Sequence, residues 1–153
     1  MEADNSSVDK SMRMVFFITV NLIGIFFPVF AVSFSGVFQT EPSEKTGGVL
    51  HVEFGACEEK PSLFCGTIKK AIRKDGSENK EYENLGKLIV WDMIDTGNGK
   101  FKKGRIWKPD ENNDNGTKKI FKSKMAYRND VLLVEGCILF FCKSQEWKRV
   151  QSE

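Results

Sequence analysis

From residue 36 onward the sequence is a run of short segments in which apolar and polar residues alternate, cut at close intervals by turn-forming residues. Alternation with period two places successive side chains on opposite faces of a strand, a pattern no helix can use. Leu50, Val52 and Phe54 oppose His51 and Glu53, and Phe64, Gly66, Ile68 and Ile72 oppose Thr67 and Lys69. Residues 87–93 form an apolar run of strand length, and in 101–107 Phe101 and Trp107 are set against Gly104 and Ile106. Phe121, Ser123, Met125 and Tyr127 oppose Lys122 and Lys124. Segments 36–40, 131–136 and 144–150 complete the series. Between them lie a polar loop at 41–48, a loop at 55–63 and the charged run 73–84 with Asp75-Gly76. Asn98-Gly99, the stretch 109–116 and Arg128-Asn129-Asp130 supply the remaining turn signals. The spacing predicts about eight short strands and no amphipathic helix, hence an all-β antiparallel up-and-down barrel or a sandwich. Short connections favour the meander, and full closure removes the edge strands that invite aggregation.

The N-terminus has a different character. Met14 to Ser33 carries no charge, follows Lys10 and Arg13, and ends in the small residues Ala31 and Ser33. A basic start, an apolar centre and a small-x-small exit predict a signal peptide over residues 1–33. Cleavage is expected after Ser33, with Ala31 as the near alternative, and Met12 or Met14 is an alternative start. A run of this length also reaches the roughly 18 apolar residues that span a bilayer, so an uncleaved anchor is the competing reading. Asn21, Gly24 and Pro28 interrupt the run and favour the signal. Residues 34–153 then form one β-barrel domain outside the cytoplasm, periplasmic or secreted.

All four cysteines, Cys57, Cys65, Cys137 and Cys142, fall in that exported part. An even count in an oxidising compartment points to two disulfides. Four cysteines allow three pairings. The local one, Cys57–Cys65 and Cys137–Cys142, is the expectation because each pair brackets a predicted turn. Zinc is disfavoured, since neither pair has knuckle spacing and His51 is the sole histidine. Without residues 1–33 the chain keeps 21 basic against 18 acidic residues. That excess is too mild for a nucleic-acid partner.

Several segments resemble a family of small exported bacterial proteins catalogued as domain of unknown function 2147. Residues 52–57 (VEFGAC) followed by 64–68 (FCGTI) are similar to its cysteine-bearing hairpin, and 84–89 (NLGKLI) to its Gly-x-x-Ile strand. Residues 104–109 (GRIWKP) resemble its Gly-x-Ile-Tyr-x-Pro, and 121–125 (FKSKM) its Tyr-x-Ala-Lys-Leu. Residues 132–137 (LLVEGC) and 144–150 (SQEWKRV) resemble its Leu-x-Val-x-Gly and Gln-x-Trp-x-Arg-Val. The resemblance implies a lipocalin-like barrel over nearly all of residues 34–150. In such barrels a Gly-x-Trp near the N-terminus stacks beneath an Arg of the last strand. Here Gly36, Phe38 and Arg149 would fill those places, with Phe38 departing from Trp, and Trp147 would join the closing seam. The family brings no assigned activity.

Candidates for chemistry are sparse. His51 shares a face with Glu53, which reads as a solvated outer face. No nucleophile elbow is present, and paired cysteines are not nucleophiles. Asp110, Glu111 and Asp114 cluster, but an EF-hand loop starting at Asp110 would need Gly at Asn115 and Glu at Phe121. Asn115-Gly116-Thr117 is a glycosylation sequon without meaning in a bacterial host. No catalytic group, cofactor or metal is therefore expected. An eight-stranded barrel either fills with side chains or encloses one small ligand, and a filled aromatic core is the favoured expectation. Trp107, Phe121 and Tyr127 are the expected cavity residues, since Trp and Tyr tips seek partners when buried. Phe140 and Phe141, within an apolar run between two cysteines, are the expected interaction patch. The expected role is a non-catalytic binding or accessory protein of the envelope, its partner a small apolar ligand or another envelope protein. Membrane contact is expected only through residues 1–33, and only if they remain uncleaved.

Overall fold

The computed structural model describes residues 34–151, so the expected signal peptide at 1–33 lies outside the described residues. Eight strands follow one another: β1 (Gly36–Gln39), β2 (Val49–Ala56), β3 (Phe64–Ile72), β4 (Leu88–Asp95), β5 (Lys100–Asn112), β6 (Lys118–Arg128), β7 (Val131–Ile138) and β8 (Phe141–Arg149). Each pairs antiparallel with the next, and β8 returns to β1 through Phe38–Arg149 and Gln39–Lys148, closing the barrel. The sandwich alternative is therefore excluded. Because neighbouring strands alternate in direction, the loops divide between two ends. The β1–β2, β3–β4, β5–β6 and β7–β8 connections share one end. The three others share the opposite end with Phe34.

At the Phe34 end the barrel is solid. The Phe34 ring lies 4.8 Å from Phe101, 5.3 Å from Tyr127 and 5.6 Å from Phe38, with Phe54 and Phe64 beyond. Tilted and edge-on contacts of this kind suit the quadrupole of aromatic rings. Above this plug Val52, Ile68, Val90, Met93, Met125, Leu132, Val134 and Trp147 are buried. Gly104 faces Met93, whose sulfur lies 2.3 Å from where a Cβ would stand, so any larger residue there would have to displace the buried Met93 side chain.

Three expectations about faces and ends are corrected. Ile72 was expected inside, but Ala71 is the buried residue. The register shifts at His51/Val52, so Val52 pairs with Ile68 and His51 with Lys70, and the extra residue reverses the parity of β3. Phe101 and Gly104, expected on opposite faces, are both buried, because a bulge with Lys103 at φ 62° separates them. The stretch 109–116 is only in part a loop: β5 continues through Pro109 to Asn112 with an irregular register after Trp107. Proline is tolerated there because a bulge frees its position from the hydrogen-bond ladder. The β6–β7 turn is a two-residue hairpin in which Asn129 and Asp130 both take positive φ, 51° and 61°, as a type I′ turn requires.

Candidate ligand cavity and its rim

Away from the plug, the barrel is hollow. A cavity of about 500 Å³ enters between the β1–β2 and β3–β4 loops. Its apolar walls are Leu50, Ala71, Ile89, Ile106, Trp107 and Trp147, and Tyr82 reaches in from the β3–β4 connection. A second cavity of about 340 Å³ adjoins it, sharing Ile106, Lys108 and Gln145 and adding Phe121, Val134, Ile138 and Phe141. Trp147 divides hollow from solid. It is fully buried, its ring lies 6.0 Å from Phe54, and its indole N–H donates to Gln145 Oε1 at 2.9 Å.

Trp107 is 3% exposed. Its Nε1 is the one buried side-chain polar atom among the described residues with no hydrogen-bond partner. The Lys118 ammonium sits 3.9 Å above the ring, a cation–π contact on the face that leaves the N–H unmet. Burying a donor without an acceptor costs about 1–3 kcal/mol. Tyr82 is half-buried, and that burial pushes its phenol above the usual range.

The rim is charged and largely self-paired. Glu111 meets Lys108 at 2.5 Å and Lys119 at 3.4 Å. The hydrogen bond from Lys108 holds the Glu111 carboxyl below the ordinary range. Lys143 pairs with Glu44, which is likewise held low by that hydrogen bond. Arg73 donates to the Glu78 carbonyl and to Asn79 Oδ1. Lys74 lines the larger cavity, packs along Gly47 and has no ion-pair partner among the described residues.

Of the residues expected to line a cavity, Trp107 lines the larger one and Phe121 the smaller. Tyr127 does not: it stands at the opposite end of β6, within the plug, where its hydroxyl accepts from Arg149 at 3.0 Å and donates to Asp130 at 2.7 Å. Strand polarity puts it there, and alternation alone cannot distinguish one end of a strand from the other. Arg149 lies between two rings, 4.8 Å from Phe38 and 5.2 Å from Tyr127. It also meets Asp130 at 3.1 Å and donates to the Ser35 carbonyl at 3.1 Å. Gly36, at φ 141°, is pressed against that guanidinium. His51 bonds Gln39 at 3.1 Å, while Glu53 pairs with Lys69 instead. Two disulfides are present, Cys57–Cys65 and Cys137–Cys142, so the Glu135–Cys137–Cys142 cluster holds no free thiolate for a metal. Leu139, Phe140 and Phe141 stand 84%, 95% and 84% exposed at the β7–β8 turn.

Sequence reasoning missed Leu50, Ile89, Ile106 and Gln145 as cavity wall, and Phe34 as plug. Their alternation was visible, but whether an inward side chain meets a neighbour or a void depends on the opposite wall.

Residues 36–149 match the model of a family described as an uncharacterized protein conserved in bacteria, domain of unknown function 2147. The chain belongs to that family. Neither the comparison with curated proteins nor that with solved structures found a match. In this member of domain of unknown function 2147 the matched span opens with the first residue of β1 and ends with the last of β8, so the family unit coincides with the closed barrel.

Proposed function

We propose that the protein is an exported, non-catalytic binding protein that takes an elongated amphiphile, an apolar chain with an anionic head, through the open end of its barrel. The observation that carries this is the cavity of about 500 Å³ above a solid aromatic floor. Its size falls within the range of small-molecule sites, and its walls are apolar with charge confined to the rim. An acyl chain would lie along Leu50, Ile89, Ile106 and Trp147, with its head near Lys74 and Lys108. A head oxygen that reached Trp107 Nε1 would relieve the orphan donor. Two disulfides suit an oxidising compartment.

The test begins with native mass spectrometry of protein purified from an exporting host, before and after refolding from denaturant. A bound mass that refolding removes supports the reading. Refolded protein titrated with a long-chain fatty acid should then show saturable quenching of tryptophan emission, and Leu50→Trp should lose it while keeping its fold. Refolded protein that binds neither fatty acids nor neutral amphiphiles would sink the proposal.

A further inference from the structure

The β7–β8 turn is an apolar knuckle that nothing in the fold requires. Leu139 and Phe140 form its tip, Leu139 at φ 53°, a strained conformation for a branched side chain. Ile138 and Phe141 pair directly beneath, and Cys137–Cys142 bridges the next rung. Leu139 and Phe140, 84% and 95% exposed, thus stand at the tip of a disulfide-bridged turn where polar residues would lose little packing.

The surroundings of the knuckle are basic. β6 runs beside β7 and carries Lys118, Lys119, Lys122 and Lys124 without an acidic residue. Lys122 pairs with Cys137 in the ladder, and Lys143 follows Cys142. Glu111, Glu44 and Glu135 compensate Lys119, Lys143 and Lys124, whereas Lys118 and Lys122 have no ion-pair partner among the described residues. Ile120, between those two lysines, is itself exposed and widens the apolar surface.

We propose that this knuckle inserts into the headgroup region of an anionic phospholipid bilayer, with the uncompensated Lys118 and Lys122 of β6 meeting lipid phosphates. Two aromatic and two aliphatic side chains expose on the order of 500 Å². That falls short of the roughly 800 Å² each partner contributes to a stable protein interface. A convex tip suits a soft phase into which it can sink, and membrane affinity then sums buried apolar area and attraction of Lys to anionic lipid. The knuckle shares the open end of the barrel, and Ile138 and Phe141 also line the smaller cavity. Docking would therefore turn the cavity mouth toward the lipid. It requires no occupant in the cavity and holds or fails separately from the proposed ligand.

The experiment uses the full chain and unilamellar vesicles, either pure phosphatidylcholine or equal parts phosphatidylcholine and phosphatidylglycerol. The Phe140→Trp variant should shift its added emission to the blue on the anionic vesicles and be quenched by brominated acyl chains, a readout local to the knuckle. Phe140→Ser/Phe141→Ser should unfold at the same temperature as the parent and lower partition onto anionic vesicles about tenfold. Emission unmoved by lipid, or equal partition of parent and double variant, would overturn the proposal. So would a protein dimer in solution that the double variant abolishes while the parent ignores the vesicles.

Discussion

At the scale of single residues one guanidinium reinforces the β1–β8 closure of the barrel. Arg149 spans Phe38, Tyr127, Asp130 and the Ser35 carbonyl, tying the last strand to the first and to the β6–β7 turn. A Cβ on Gly36 would lie 2.2 Å from Arg149 Nη1, and φ 141° strains any other residue there. Gly36→Ala is expected to cost about 2–3 kcal/mol, read as a lower urea midpoint with the m-value preserved. Trp107→Phe trades lost packing against removal of an orphan donor, so its stability should stay within about 1–2 kcal/mol of the parent. Affinity for an oxygen-headed amphiphile should nevertheless fall about tenfold in the same variant. His51 supplies a pH dependence. Desolvation first, then Lys70, holds its imidazole below its ordinary 6.5, so the folded state binds a proton less readily than the unfolded chain. Stability from this group is present above that value, declines as pH falls through it, and levels off below the folded pKa. Glu111, held below its ordinary 4.5, adds a separate loss only at lower pH. In His51→Gln the fall in urea midpoint between about pH 7 and pH 5 should shrink.

Among the elements, the hairpins carry the sequence signals most faithfully. Cys57–Cys65 closes the β2–β3 connection, at a sequence separation of 8. Cross-linking a loop of that size is worth roughly 2–3 kcal/mol on the chain-entropy view. Cys57→Ala/Cys65→Ala should lower stability by about that amount in urea, with intact mass confirming that the second bridge survives. The strands themselves were legible in period two. Their faces were legible only between bulges: the shift at His51/Val52 exchanged Ile72 for Ala71, and the one at Lys103 brought Gly104 to the side of Phe101. A bulge inserts one residue without any compositional mark, so alternation read across it comes out inverted.

For the whole molecule the decisive contrast is between two ends of one barrel. Six aromatic rings fill the end near Phe34, whereas apolar walls with no matching filler leave the other end open. The cavity, its charged rim and the apolar knuckle all lie at that open end. The sequence by itself determined the all-β character and the positions of the strands and turns, and favoured the meander and the local cysteine pairs, because alternation and turn chemistry act over a few residues. Trp107 and Phe121 could also be named from the sequence as aromatic residues able to line a cavity, Trp107 because its N–H needs a partner when buried. Only the tertiary structure decided that the barrel is hollow above Trp147, that Tyr127 belongs to the plug, and that Phe34 completes it. Those facts depend on side chains brought together from strands tens of residues apart. A void is a property of the space between walls, and no segment of a chain encodes it alone.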